Sequence, residues 1–285
     1  MSTLKIAIQK SGRLNQDSLT LLKDCGIKID NGKDQLKVVA RNFPLEVLYL
    51  RNSDIPQYIE DGVVDIAIIG ENILIEKQKQ TEIVEKLGFA KCRVSLAVPK
   101  RVDNDQPSYF NGKKIATSYP NTLNSYLKEN NINAEIHVIS GSVEISPNIG
   151  LADGICDIVS SGSTLFKNGL RETQVILRSE AVLAKNVGLD TEKEAILNKL
   201  LFRIQAVLRA KNSRYVLMNV PNSKINEVTE ILPVLKSPTI LPLAQEGWSS
   251  LHSVIDEDKF WESIDDLKNA GAEGILVVPI DKMVL

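Results

Sequence analysis

The chain has 285 residues, with 34 Lys and Arg against 36 Asp and Glu, a formal net charge of −2, and 43% hydrophobic and 25% charged residues. That suits about two or three domains with sizeable cores and excludes intrinsic disorder, while the near-neutral total argues against a protein held on nucleic acid by bulk charge. No apolar run approaches the roughly 18 residues that span a bilayer. MSTLKIAIQKSGR places Lys5 and Lys10 too close together for a signal-peptide core, so a cytoplasmic protein with no membrane contact is expected.

Strands and helices alternate from the start. LKIAI (4–8) reads as a strand, and Leu14, Ser18, Leu21, Leu22 and Cys25 share one face of a helix that Gly26 stops. EVLYL (46–50) is a second strand, SDIPQYIEDG a capped helix with Pro56 in its first turn, and VDIAII (64–69) a buried strand. RVSLAVP (93–99) leads to KKIATSYP (113–120), where a strand ends at a turn. A polar helix from Asn121, the strand EIHVIS, a short helix from about Val143 and the strand DIVS (157–160) follow. This alternation predicts parallel sheets with functional residues at the strands' C-terminal ends.

Two echoes point to duplication. DGVVDIAIIG (61–70) and DGICDIVSSG (153–162) share DG, DI and G at the same spacings, and KIAIQKS (5–11) shares KIA with KIATSYP (114–120). They predict two similar α/β lobes facing each other across a cleft. The chain crosses between them at CRVSLAVP and returns through VILRSEAVLAKN (175–186). TEKEAILNKLLFRIQAVLRAK (191–211) then forms a long amphipathic helix. From Tyr215 the order becomes β-α-β-β-α-β, the ferredoxin-like pattern, with Ser223 expected as an N-cap.

Cys25, Cys92 and Cys156 share no CxxC spacing and sit in apolar settings, so buried thiols are expected. His137 and His252 are the only histidines, each on a half-exposed strand, which disfavours a His-rich metal centre or a Ser-His-Asp triad.

Five segments carry chemistry. In DGICDIVSSGSTLFKNG (153–169) a strand ends at Ser160, and Ser161, Gly162, Ser163 and Thr164 precede a helix. Hydroxyls and backbone N–H groups around one glycine cradle a phosphate, and Asp157 is placed to accept from ribose hydroxyls. Lys10, Ser11, Gly12 and Arg13 end another strand with two cations suited to a polyphosphate. Gly70, Glu71 and Asn72 form the equivalent turn after 64–69. Thr117 and Tyr119 lie in IATSYPN, and Glu144 starts a helix in SGSVEISP. Plainer readings stay open: a serine-rich capped turn, solvated cations, and helix capping by Glu144. No GxxxxGK[ST] occurs.

As a set, QKSGRL, DGVVDIAIIGEN, CRVSLAVP, NGKKIATSYP, GSVE, GLADGICDIVSSGSTL and SPTILPLA resemble the long, regulated form of the ATP phosphoribosyltransferase family, from end to end. The resemblance implies an α/β chain of two periplasmic-binding-protein-like lobes around a catalytic cleft, plus a C-terminal ferredoxin-like regulatory domain. Lobe I would comprise 1–93 with 178–211, lobe II 94–177, and the regulatory domain 212–285. The implied reaction joins N1 of ATP's adenine to C1 of phosphoribosyl pyrophosphate and releases diphosphate, the first step of histidine biosynthesis. Mg²⁺ would be carried mainly by the substrate, with Asp157 as a protein ligand to it.

Role by role, the resemblance gives Lys10, Arg13, Glu71, Glu144 and Asp157 as catalytic residues. Ser11, Gly12, Gly70, Asn72, Arg93, Thr117, Tyr119, Ser160, Ser161, Gly162, Ser163 and Thr164 would bind substrates. Histidine and AMP would inhibit, with Leu235, Ser237 and Thr239 contacting histidine, and the chain would form dimers and hexamers. Two rivals remain: a two-lobed solute-binding protein, and a phosphoribosyltransferase acting on another base.

Overall fold

The computed structural model describes residues 2–30, 35–232 and 237–284. They fall into two units, 1–198 and 199–285.

In the first unit, β1 (Leu4–Gln9) leads into α1 (Arg13–Asp24), whose buried Ser18, Leu21 and Leu22 share one face. Next come β2 (Lys37–Val39), β3 (Leu45–Leu50), α2 (Ile55–Glu60), β4 (Ile66–Gly70), α3 (Glu71–Lys77) and β5 (Thr81–Lys86). A second series runs β6 (Cys92–Pro99), β7 (Lys114–Thr117), α4 (Pro120–Glu129), β8 (Glu135–Val138), β9 (Gly154–Val159), α5 (Ser163–Lys167) and β10 (Leu170–Ser179). β11 (Ala181–Asn186) follows, and α6 (Thr191–Lys211) runs through the boundary at 198.

Two sheets result, ordered β2-β3-β1-β4-β11-β5 and β10-β6-β9-β7-β8. Aligned as β3-β1-β4-β11-β5 and β8-β7-β9-β6-β10, they have one plan: two parallel pairings, then two antiparallel ones, so that the fourth strand alone runs against the other four. The fourth strand of each sheet, β11 or β6, arrives from the other lobe. Both sheets are therefore mixed, where alternation alone predicted parallel ones. A strand entering from the opposite lobe meets its sheet running the other way.

The duplication is real, but the sequence echo is out of register with it. At the head of β1 the Lys5 N–H donates to Asp65 Oδ2 at 2.7 Å, and the Asp65 N–H returns a bond to the Lys5 carbonyl. At the head of β7, Lys114 and Asp153 repeat that exchange, with 2.9 Å for the carboxylate bond. Asp65 thus corresponds to Asp153, whereas the echo aligned it with Asp157.

Local differences concern helix starts. Asp54 makes no side-chain cap on α2, α4 begins at Pro120, and Val143–Ile145 is a single 3-10 turn. The core of the first sheet gathers Ala7, Ile55, Ile59, Ala67, Ile69 and Val182. The second sheet buries Val94, Leu96, Phe110 and Leu123 on one face and Ala97, Ile155 and Val159 on the other. Cys25 and Cys156 are buried, and Cys92 is partly exposed.

In the second unit, β12 (Ser213–Pro221), α7 (Ile225–Ile231), β13 (Thr239–Pro242), β14 (Trp248–Asp256), α8 (Glu257–Asn269) and β15 (Glu273–Pro279) follow the ferredoxin-like plan. Their sheet is ordered β13-β14-β12-β15. Val216, Met218, Val220, Leu251, Phe260 and Leu267 form its core. Asp256 caps α8 by accepting from the Asp258 N–H at 3.0 Å. Ser223 does not cap α7, because it lies inside a 3-10 turn (Asn222–Lys224) that precedes it. No helix among the described residues is long and apolar enough to cross a membrane.

Candidate functional site

Four strand ends in the first unit carry the expected segments. After β1, Lys10, Ser11, Gly12 and Arg13 are exposed, and the two cations make no ion pair with the described residues. Gly12 caps α1 at φ 89°, a left-handed region that L side chains rarely occupy. After β9, Ser160, Ser161, Ser163 and Thr164 are exposed around Gly162 at φ 79°. Ser161 Oγ lies 3.1 Å from Ser163 Oγ, so the turn orders its own hydroxyls.

After β4 and β7 the picture changes. Asn72 Nδ2 donates to Tyr119 Oη at 3.1 Å, and Asn72 Oδ1 accepts from Ser179 Oγ at 3.0 Å. The Asn72 N–H also donates to Ser179 Oγ, at 2.9 Å. This buried network places the C-terminal ends of β4 and β7 side by side across the two lobes. It also explains Gly70: a Cβ there would stand 2.5 Å from Asn72 Oδ1 and push that side chain out of its network.

Asn72 and Thr117 were expected to touch substrate, and the structure gives them another place. Asn72 is 3% exposed and Thr117 0%. The Thr117 hydroxyl donates to the Cys156 carbonyl at 2.7 Å and accepts from the Tyr119 N–H at 2.8 Å. Neither offers free hydrogen-bonding surface to a ligand; both shape the turn that carries Tyr119. Arg93, expected at a phosphate, forks onto Glu172 through Nε and Nη2, each at 2.5 Å. Its Nη1 donates to the Ser160 carbonyl at 3.0 Å.

Burial first, then Glu144, pushes the Asp157 carboxyl up to about 6, although its Oδ1 accepts from the Ile158 N–H at 2.8 Å. Burial and the Asp157 charge likewise raise the Tyr119 phenol, keeping it neutral. Glu71 accepts from Lys86 Nζ at 3.4 Å. Among the described residues no group of three or more His, Cys, Asp or Glu side chains could hold a metal ion.

Sequence reasoning missed Glu76, Ser179 and Glu172. Glu76 on α3 is 5% exposed and caps α4 of the other lobe. Its carboxylate accepts from the Asn121 N–H at 3.0 Å, the Thr122 N–H at 2.9 Å and Thr122 Oγ1 at 2.8 Å. Nothing in ENILIEK separates this buried acid from an exposed one, because its partners lie 45 residues away.

In the second unit Ser237 and Thr239 are exposed, and Leu235 lies outside the described residues. Thr239 pairs with His252, whose ring is held by Tyr215 Oη at 2.8 Å and Ser250 Oγ at 2.9 Å.

The "ATP phosphoribosyltransferase" family model matches residues 51–206, and the "HisG, C-terminal domain" model matches 210–282. A protein of Cytophaga hutchinsonii named ATP phosphoribosyltransferase is 59% identical over 285 residues, covering 100% of both chains. One of the same name from Bacteroides thetaiotaomicron is 55% identical, covering 99% of this chain and all of its own. Among solved structures, an ATP phosphoribosyl transferase (HisG:HisZ) complex from Thermotoga maritima aligns with a TM-score of 0.61 at 30% identity, over 71% of this chain and 99% of that one. The substrate binding protein of an amino acid ABC transporter aligns at 0.50 and 12% identity, over 73% of this chain and 94% of its own, and so shares the two-lobed fold. With a fold shared with binding proteins but a sequence shared end to end with these transferases, the chain belongs to the ATP phosphoribosyltransferase family.

Proposed function

We propose that this transferase joins N1 of ATP's adenine to C1 of phosphoribosyl pyrophosphate, releasing diphosphate, as the first step of histidine biosynthesis. The observation that carries the reading is the meeting of unlike strand ends. Asn72 and Tyr119 hold the two lobes' C-terminal strand ends side by side. Unpaired Lys10 and Arg13 then stand on one lobe, and the hydroxyl-rich turn 160–164 with Asp157 on the other.

The roles follow from charge. Ribosyl transfer builds positive charge on the sugar and releases a polyanion, so positioning and electrostatics matter more than a covalent nucleophile. Ser160, Ser161, Gly162, Ser163 and Thr164 hold the 5-phosphate, and Asp157 orients the ribose hydroxyls. Lys10 and Arg13, with Ser11 and Gly12 between them, neutralise the leaving diphosphate. Glu71, Tyr119 and Glu144 line the nucleotide side. We assign 1–93 with 178–211 to lobe I, 94–177 to lobe II and 212–285 to a regulatory domain.

Mg²⁺ fits beside Asp157, where a cation would offset the burial and the Glu144 charge that raise its carboxyl. Because the described residues hold no group of three or more His, Cys, Asp or Glu side chains suited to a metal ion, most of its oxygens would come from substrate and water. When bound, it adds positive charge beside the leaving diphosphate. Histidine binds the C-terminal unit near Ser237 and Thr239 and inhibits, AMP competes at the nucleotide site, and the chain assembles as dimers and hexamers.

The test is direct. The protein is mixed with ATP, phosphoribosyl pyrophosphate and Mg²⁺, with a pyrophosphatase to draw the reaction forward, and absorbance is followed as adenine N1 is alkylated. A steady ultraviolet change dependent on both substrates is expected; its absence would sink the proposal.

A further inference from the structure

We propose that Glu172 is a positioning residue for the phosphate turn, acting through Arg93, an inference that rests on the phosphoribosyl transfer proposed above.

Arg93 and Ser95 alternate onto one face of β6, and β10 runs antiparallel beside them. The ladder slips between Glu172 and Gln174, and a bulge of this kind re-aims a side chain. Glu172 Oε1 accepts from Arg93 Nε at 2.5 Å and from Ser95 Oγ at 2.6 Å, while Oε2 accepts from Arg93 Nη2 at 2.5 Å. Two of the three guanidinium nitrogens are thereby used in a planar fork. The third, Nη1, is left aimed at the Ser160 carbonyl, 3.0 Å away.

That carbonyl belongs to the peptide that opens the phosphate turn. Because a trans peptide points its N–H opposite to its C=O, pinning the Ser160 oxygen toward Arg93 turns the Ser161 N–H away from Arg93. Ser95 also pairs with Asp157 across β6 and β9, so the Glu172 group adjoins the strand position of the ribose ligand. Both ions of the pair are about three-quarters buried, with 26% and 25% side-chain exposure, where a fork holds its geometry better than at an open surface. Each also favours the other's charge, Arg93 being raised and Glu172 lowered by their shared hydrogen bonds. Arg93 thus serves the phosphate indirectly, by shaping the backbone that receives it.

A rival arrangement, in which Arg93 itself grips the diphosphate and Glu172 holds it back, makes the opposite forecast. Steady-state kinetics of Glu172→Gln, with its melting temperature, separates the two. Positioning predicts that the KM for phosphoribosyl pyrophosphate rises about tenfold, as for one lost charge-assisted hydrogen bond, while the KM for ATP stays within about twofold. Ser95→Ala, which removes one donor to the Glu172 carboxylate and keeps the ion pair, should raise the same KM about threefold and serves if Glu172→Gln does not fold. A fall in that KM, no change in it, or equal rises in both KM values with a lowered melting temperature would each overturn the inference. A wild-type protein that makes no product removes the underlying reading instead.

Discussion

In the first lobe the parallel strands end in Lys10, Ser11, Gly12 and Arg13 and in Gly70; in the second they end in Thr117 to Tyr119 and in the serine-rich turn 160–164. At their heads the two lobes are alike, Asp65 serving Lys5 as Asp153 serves Lys114. The likeness at one edge and the contrast at the other have separate causes. Strand heads need only satisfy their own backbone groups, and one solution serves both lobes. On the proposed reading strand tails face a ligand, and a substrate with anionic groups at both ends would be held by two different tails: cations for one group, hydroxyls and N–H donors for the other.

Four substitutions can break or sharpen this contrast. The largest effect is expected from Asp157→Asn, which should lower kcat by about 100-fold or more if the carboxylate steadies charge on the ribose. Its pH signature is specific. With the Asp157 carboxyl near 6, wild-type kcat/KM should fall as pH drops through about 6, and this limb should vanish in the variant. Stability should move the other way. A folded pKa above the unfolded value favours the protonated folded state, so this group's contribution is full below its unfolded pKa and is lost as pH rises through about 6. Urea unfolding of wild type and variant at several pH values reads that difference.

Glu76→Ala comes next and addresses what joins the lobes. It strands two backbone N–H groups and the Thr122 hydroxyl, and should cost about 3 kcal/mol in urea unfolding. A loss under about 0.5 kcal/mol would show that the cap is dispensable. Arg13→Ala tests the cationic tail. It should raise the KM for phosphoribosyl pyrophosphate about tenfold with little change in melting temperature, since Arg13 is exposed. Smallest is Thr164→Val, which keeps shape and removes one hydroxyl, for a rise in that KM of roughly fivefold. If Arg13→Ala and Thr164→Val instead raised only the KM for ATP, the assignment of tails to substrate groups would have to be exchanged.

Much of this molecule was legible in its residues, and the failures have a common form. Apolar runs such as VDIAII and the stripe of α6 announce their elements because burial depends on the segment's own periodicity. The turns at 10–13 and 160–164 were legible as exposed strand ends because a glycine among small polar or charged residues interrupts an apolar run. Strand direction was not: β6 and β11 look like any buried strand, and only the lobe they enter makes them antiparallel. Side-chain use was not either. Thr117 and Asn72 sit in chemical motifs, yet their polar atoms are consumed by Cys156, Tyr119 and Ser179.

By itself, then, the sequence determined the alternating elements, the duplicated lobes, the ferredoxin-like tail, and the polar turns at the strand ends. Periodicity, turn residues and local charge carry that information within a few neighbouring positions. The tertiary structure alone decided which strands are exchanged, that Asp65 corresponds to Asp153, and which groups Glu76, Ser179 and Glu172 bond. Those residues act through partners 45, 107 and 79 positions away, and no local pattern encodes a hydrogen bond across that separation.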